Sequence, residues 1–381
     1  MPIDLTTEFP LEETLVYLNH AAVSPWPQRT ADAIYRFTQQ NLKRGATDYL
    51  AWIKIENGLR RQLRQLINAK SSDEIALLKN TSEALSIVAY GLEWQTGDNV
   101  VSSDQEFPSN RIVWQSLEAQ GVEFRQANLA SANSPEAALI AQCDANTRLL
   151  TISSVQYASG LKIDLKTLGA FCHENNILFC VDAIQSLGAQ PFDVQDIQAD
   201  FVMADGHKWM LGPEGLALFY CRKAHLETLQ LKQYGWHMVE ALGDYNRQQW
   251  QAAKSARRFE CGSPNMLAIH ALHASLSLLL EVGLKEVELM LAERVNHLIK
   301  KIKQHPQLEL LSPETHHQRA GIVTFKHKTI VPEALYQTLM DNSVICAARG
   351  GGVRFSPHFY TPLEKIDEAF TRINGVIKGL E

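Results

Sequence analysis

The sequence predicts an α/β protein in which a large domain, built on a mainly parallel sheet, is joined to a smaller α+β domain. Residues 75–222 alternate short β-rich runs with amphipathic stretches, which is the pattern of strands linked by covering helices. Beyond about residue 275 the order changes to long helical patterns, then strand-like runs, then a closing helix. The chain has 381 residues, 45% of them hydrophobic, with 36 Lys+Arg and 42 Asp+Glu, so it can bury a sizeable core and is neither disordered nor collagen-like.

Taken in order, strands are expected over Glu74–Leu78, Asn99–Ser103, Leu149–Ser153, Ile177–Asp182, Phe201–Ala204 and Leu216–Cys221. Between them, helices are expected over Ser82–Leu92 after Asn80, Ser109–Ala119 after Pro108, and Leu165–Asn175 after Asp164. Each opens on a residue type that caps or starts a helix. Helical periodicity then fills Leu267–Leu280 and Leu284–Gln304, followed by strand-like Gly321–Phe325 and Val344–Ala348 and a last helix over Pro362–Ile377. The large domain is therefore placed at 21–274 and the small one at 275–381, the latter joined by residues 1–20.

Charge and cysteine usage narrow the function classes. A net charge of -6 offers no basic surface for nucleic acid, so small molecules or protein partners are expected instead. The six cysteines form no CxxC pair and most lie in apolar runs such as Ile177-Leu178-Phe179-Cys180-Val181, as reduced thiols of a cytoplasmic protein would. The start Met1-Pro2-Ile3-Asp4 lacks the cationic and apolar regions of an export signal. His270, His273 and Glu281 interrupt the most apolar helical stretch, so no membrane partner is expected.

Three places could carry chemistry. In Asp205-Gly206-His207-Lys208-Trp209-Met210-Leu211-Gly212-Pro213, a lysine follows the end of a strand within a glycine-containing loop, where its amine could attack an aldehyde. An exposed loop lysine is the plainer alternative. In Val181-Asp182-Ala183-Ile184-Gln185, an apolar strand ends in an acid at the edge where such sheets bind ligands; a helix-capping aspartate would look the same. In Asn80-Thr81-Ser82-Glu83, hydroxyls and free backbone N–H groups gather at a helix start, which suits a phosphate. Asn80 with Glu83 also reads as a capping box, and the two uses are compatible.

Together with Glu106-Phe107-Pro108-Ser109-Asn110, Arg258-Phe259-Glu260-Cys261-Gly262-Ser263-Pro264-Asn265 and Arg354-Phe355-Ser356, these runs resemble the class V, fold-type I pyridoxal-phosphate enzymes. The branch they resemble is that of cysteine desulfurases and selenocysteine lyases, with isopenicillin N epimerase-like and C–S lyase relatives. The resemblance implies that Lys208 holds pyridoxal 5'-phosphate as a Schiff base and that Asp182 pairs with its ring nitrogen. By the same likeness Phe107 stacks on the ring, Gln185 bonds the phenolic oxygen, and Thr81, Ser82 and His207 hold the phosphate. Ser263 would reach the phosphate bound by a neighbouring subunit, which implies a homodimer with shared sites. Arg354 would grip the carboxylate of an amino-acid substrate, with Tyr157 nearby. Asn19, His20, Trp209, Arg349 and His358 are candidates for lining the side-chain pocket.

The departures from that pattern narrow the chemistry. Phe107 stands where desulfurases have a histidine, and a phenyl ring cannot carry a proton. Tyr157 stands in place of an asparagine. The desulfurase loop with its nucleophilic cysteine is replaced by Ala347-Ala348-Arg349-Gly350-Gly351-Gly352-Val353-Arg354, with no thiol. Cys346 and Cys261 are expected to be packing residues. Asp205 replaces a phosphate-binding serine and is expected to turn away from the anion. Gly350-Gly351-Gly352 is expected to be a tight turn rather than a nucleotide loop, and His316-His317 a surface pair; no metal is expected. The reading that ranks first is a desulfurase-like lyase that cleaves a C–S or related β-bond. An amino-acid epimerase or aminotransferase comes second, and a cofactor-binding scaffold without turnover third.

Overall fold

A computed structural model describes residues 3–380. Its strands are β1 (Val16–Tyr17), β2 (Ile75–Leu78), β3 (Asn99–Ser103), β4 (Glu123–Ala127), β5 (Thr147–Ser153), β6 (Leu178–Asp182), β7 (Phe201–Asp205), β8 (Ala217–Cys221), β9 (Leu308–Leu310), β10 (Val323–His327), β11 (Val344–Ile345), β12 (Ala347–Arg349) and β13 (Gly352–Phe355). The helices are α1 (Leu5–Glu8), α2 (Gln28–Arg44), α3 (Tyr49–Leu66), α4 (Thr81–Gly91), α5 (Ser109–Gln115), α6 (Pro135–Ile140), α7 (Leu165–Glu174), α8 (Met266–Val282), α9 (Leu284–Gln304), α10 (Pro332–Asp341) and α11 (Leu363–Leu380).

Seven strands form the central sheet in the order β2-β8-β7-β6-β5-β3-β4. Only β8 runs against the rest, pairing antiparallel with both β2 and β7. Strands β2, β3, β7 and β8 are buried along their whole length and β6 from Phe179 onward, which is why most of them read as near-continuous apolar runs. Strand β4 was not legible in the sequence. It is the sheet edge, largely exposed and carrying Glu123, Arg125 and Gln126, so it lacks the apolar alternation that marks a half-buried strand. Helix α5 is shorter than the spacing predicts; it ends at Gln115, and a single 3-10 turn at Glu118–Gln120 leads into β4.

The strand order reverses between β3 and β5: from β3 the chain steps outward to β4, whereas β5, β6 and β7 step the other way. A crevice opens beyond the carboxyl ends of the strands at such a point, and there the loops after β3 and β5 diverge. The loops that carry Phe107 and Tyr157 are these two.

Helix α8 packs on α2 and α3 and shares its buried face with the large core as far as Leu279. Gly283, at φ 88°, then turns the chain by 82° into α9, whose buried Leu291, Val295 and Leu298 belong to a second core. Val287, with Leu284 and Met290, still packs in the large core, so the change of core falls within the first half of α9, before Leu291, rather than at 275. The second core is built around the antiparallel sheet β12-β13-β10-β9 and the parallel pair β1-β11, so the N-terminal strand does pack with the C-terminal part. The run expected as one strand over Val344–Ala348 is divided. Val344 and Ile345 pair with β1, while Ala347–Arg349 forms a hairpin with β13. Gly350 and Gly351, at φ 59° and 74°, make the two-residue turn.

Candidate active site

A cleft of about 240 Å³ lies at the carboxyl edge of the large sheet. It is lined by Lys208, Asp182, Gln185, Thr81, Ser82, Phe107, Tyr157, Asp205, His207, Arg349 and Arg354, together with Ala21, Ala22, Ser109 and Ile184, which sequence reasoning did not single out. The residues that converge come from loops far apart in the chain, and the sheet edge is what gathers them.

Strand β6 ends at Asp182, and its carboxylate is buried with Oδ1 accepting the Ile184 N–H at 3.0 Å. Burial raises its pKa, against the pull of that hydrogen bond. On the neighbouring strand, the loop after β7 presents Lys208, whose Nζ lies 5.6 Å from the centre of the Phe107 ring. Burial lowers the Lys208 pKa, with Asp182 opposing, so the amine gives up its proton more readily than a solvated lysine. The loop is held rigidly. A Cβ on Gly188 would come within 2.2 Å of the Trp209 carbonyl oxygen, and Leu211 adopts a left-handed φ of 62°.

Phe107 is 41% exposed into the cleft and meets Tyr157 edge-to-face at 5.2 Å. The buried Glu106 fixes both walls. Its carboxylate accepts from the Ser103 and Ser153 hydroxyls, the Ser153 N–H, the Asn110 amide and the Gln156 amide, tying β3 and α5 to the loop after β5. The signal for Glu106 was present as an acid directly after an apolar strand, but its role depends on partners up to 50 residues away.

At the start of α4 the Asn80 side chain caps the Glu83 N–H at 2.8 Å. Glu83 reaches back to the Lys79 N–H rather than to that of Asn80, so the box closes one residue early. The Ser82 hydroxyl donates to Ser109 at 2.9 Å and bridges α4 to α5. Asp205 does not turn away as expected. Its Oδ2 accepts the Thr81 N–H at 3.3 Å, its own N–H donates to the Thr81 hydroxyl at 3.1 Å, and it lines the cleft. It does take a backbone donor, but that donor belongs to the helix start expected to meet a phosphate. Burial raises its pKa to about 6. His207 is held neutral, its pKa lowered to about 4 by burial and then by Lys208.

Across the cleft, the β12–β13 hairpin supplies Arg349 and Arg354. Arg354 donates to the Tyr157 carbonyl at 2.8 Å and to Asn19 Oδ1 at 3.4 Å, so Asn19 acts on the site through the arginine. Burial, and then Arg349, lower the Arg354 pKa to about 10.

Other candidates are placed elsewhere. His20 is fully buried and does not line the cleft; its ring nitrogens meet the Ser356 carbonyl at 2.8 Å and the Tyr360 hydroxyl at 2.7 Å. His358 meets the Trp209 carbonyl, and the Trp209 indole N–H donates to Gln185 Oε1 at 2.7 Å. These aromatic residues pack behind the lysine loop and hold Gln185 in place. Ser263 lies in a separate cleft with Lys79, Gln233 and Cys261. Cys346 is buried and its thiol is pushed up to about 12 by burial, so it stays protonated at neutral pH. No cysteine lines the Lys208 cleft.

Several buried polar atoms here have no partner among the described residues: Asp205 Oδ1, His207 Nδ1 and Arg354 Nε, with Gln156 Oε1 behind the wall held by Glu106. Buried polar groups are rarely left so, and their grouping around one cleft marks a place for a polar ligand. An amine, a carboxylate on the adjacent strand, helix-start donors and a guanidinium fit an aldehyde-bearing pyridine phosphate together with a carboxylate substrate.

Comparison with known proteins points the same way. The family model for class-V aminotransferases matches residues 16–367. A protein of Methanothermobacter thermautotrophicus described as a probable cysteine desulfurase is 30% identical, the alignment covering 95% of each chain. The structure of a cysteine desulfurase from Thermococcus onnurineus superposes with a TM-score of 0.88 at 25% identity, over 100% of this chain and 99% of that one. The cystine C–S lyase C-DES, solved with its product cysteine persulfide, has the same fold, with a TM-score of 0.89 at 24% identity over 96% of this chain and 98% of that one.

Proposed function

Since the chain belongs to the class-V aminotransferase family, we propose that it is a pyridoxal-5'-phosphate-dependent lyase that cleaves the C–S or a related β-bond of an amino acid, without passing sulfur to a cysteine of its own. The observation that carries this is the cleft itself, where Lys208, Asp182, the α4 start and Arg354 converge and no thiol joins them.

Lys208 is the residue that would hold the cofactor, Asp182 would pair with its ring nitrogen, and Thr81, Ser82 and His207 would meet its phosphate. When bound, that cofactor supplies an electron sink that makes the α-proton of an amino acid acidic. Arg354 binds the substrate carboxylate through a planar fork of donors, already oriented by Tyr157 and Asn19. Lys208, its pKa lowered by burial, takes the α-proton. Phe107 and Tyr157, edge to face, form one wall of the cleft. Arg349 at the cleft rim suits a substrate with a second anionic group. A β-leaving group then departs into the open cleft, since the thiol that would accept it in a persulfide mechanism is absent from the lining.

The protein is read as a cytoplasmic homodimer. Ser263, lying outside its own chain's Lys208 cleft, and the exposed Tyr234, Trp236, Tyr245 and Trp250 support a partner subunit. All six cysteines are free thiols, which supports a reducing compartment. No helix among the described residues is by itself long and apolar enough to cross a membrane.

The test is to incubate the reconstituted protein with cysteine, cystine and a panel of other amino acids, assaying sulfide, persulfide, pyruvate and racemisation together. Pyruvate formed in step with released sulfur is the expected result. Racemisation or amino-group transfer without pyruvate would replace the lyase reading with one of its alternatives.

A further inference from the structure

We propose that Asp205 couples cofactor capture to a proton: its carboxyl stands among the donors of the phosphate site, so binding the phosphate takes up one proton from solvent and Asp205, protonated, donates to a phosphate oxygen. This rests on the cleft being the pyridoxal-phosphate site.

Two contacts tie Asp205 to the helix start. Its main chain and Oδ2 are tied to Thr81, the first residue of α4, by reciprocal hydrogen bonds. Its Oδ1 is buried without a partner among the described residues, and the residue lines the cleft. The Glu83 N–H is already spent on Asn80 and the Thr81 N–H on Asp205, which leaves the Ser82 N–H as the unspent donor of the turn. An ionised Asp205 would therefore set a negative oxygen beside the phosphate and withhold one of its donors. A protonated Asp205 would turn the same atom into a donor.

Every charged group facing it bears on this. From its own loop Lys208 favours the ionised form, while Glu214 disfavours it. Asp182, on β6, adds negative charge, and His207 is neutral because burial lowers its pKa. From α4, Thr81 contributes only neutral groups. Once Lys208 is engaged by the cofactor, none of these offsets a phosphate dianion next to a carboxylate.

The sign follows from the free site, where burial puts the Asp205 pKa at about 6. Below that pH the carboxyl is protonated both before and after binding, and affinity is insensitive to pH on this account. Above it, the free site must take up a proton to bind, so affinity falls about tenfold per pH unit until the pKa of the bound form is reached.

The experiment uses the full-length protein stripped of cofactor. The dissociation constants of pyridoxal 5'-phosphate and of pyridoxal, which lacks the phosphate, are measured by tryptophan fluorescence from pH 6 to 9, and their ratio cancels protons common to the aldehyde, ring and lysine. In the wild type the ratio should rise about tenfold per unit. In Asp205→Asn and Asp205→Ser it should stay flat, with pyridoxal 5'-phosphate bound at least tenfold more tightly than by the wild type at pH 8. Calorimetry of the wild type in two buffers of different ionisation enthalpy should show close to one more proton taken up with pyridoxal 5'-phosphate than with pyridoxal. Equal slopes in wild type and variants, or no extra proton, would overturn the proposal while leaving the cofactor reading intact. Failure of the wild type to bind pyridoxal 5'-phosphate at any pH would overturn both.

Discussion

The Lys208 cleft and the cluster around Arg60 both bury cations with carboxylates, and they treat them in opposite ways. Arg60, on α3, donates from Nη1 to Glu260 at 2.5 Å and to the Ile75 carbonyl at 2.9 Å, and from Nη2 to Glu56 and Glu260 at 2.7 Å each. Glu260 also accepts the Leu77 N–H at 2.8 Å, and His237 stands 3.6 Å from its other oxygen. The guanidinium occupies the carboxylate oxygens that a metal ion would need, so the triad Glu56, His237 and Glu260 is a clamp between α3, β2 and the segment before α8. In that cluster His237 Nδ1 alone lacks a hydrogen bond and the guanidinium is fully engaged, whereas in the cleft Asp205, His207 and Arg354 each keep a buried atom unpartnered among the described residues. A closed cluster stabilises the fold; an open one costs stability until a ligand completes it.

The sharpest way to break this comparison is to remove one cation from each. Lys208→Ala should lower β-elimination at least about 10³-fold while leaving the unfolding midpoint within a few degrees, because the amine makes no hydrogen bond that the fold depends on. The readout is pyruvate release set beside thermal unfolding. Activity within tenfold of the wild type would show that Lys208 is a loop lysine and would move the chemistry elsewhere.

Arg60→Ala should do the reverse. It leaves Glu56 and Glu260 buried without their partner, which should cost about 3–5 kcal/mol of stability in urea unfolding. The turnover of the molecules that remain folded should be near that of the wild type. A loss of turnover with unchanged stability would mean that the clamp serves the site directly.

A smaller effect is expected where the two modes meet. Arg354 is buried like Arg60 but has only the Tyr157 carbonyl and Asn19 as partners, with Nε free. Arg354→Lys keeps the charge and loses the planar fork, a difference of about 1.5–3 kcal/mol in charge-assisted hydrogen bonding. The KM for the amino acid should rise about 10- to 100-fold with a smaller change in kcat. An unchanged KM would mean that the carboxylate is bound by Arg349 alone.

The same contrast explains what was legible in the sequence. Lys208 and Asp182 could be found because each follows an apolar strand directly, and the sheet edge follows from the strands. Thr81 and Ser82 were visible as a capped helix start for the same reason. His20 and His358 could not be sorted from the pocket, since what turns them inward is contact with Tyr360 and Trp209, 340 and 149 residues away. The edge strand β4 escaped because it is too polar to show a period, and of the β12–β13 hairpin only the glycine turn was legible, because its strands are too short. The direction of Asp205 was misjudged because the donors expected to draw it off the phosphate are the phosphate's own.

The smallest effect concerns the thiol closest in sequence to the cleft hairpin. Cys346 joins β11 to β12, three residues before Arg349, and is the one cysteine near the place where a persulfide nucleophile would be sought. It is buried, and its pKa near 12 leaves about one part in 10⁵ as thiolate at pH 7. Cys346→Ala should therefore change β-elimination by no more than about twofold and cost about 1 kcal/mol of packing, with sulfide or a small-molecule persulfide still released in full. A loss of sulfur release on the scale of Lys208→Ala, or a persulfide on Cys346 trapped by alkylation and seen by mass spectrometry, would require the hairpin to open. It would also place this chain with enzymes that carry sulfur on their own cysteine, where the present cleft, with polar atoms waiting and no thiol among them, does not put it.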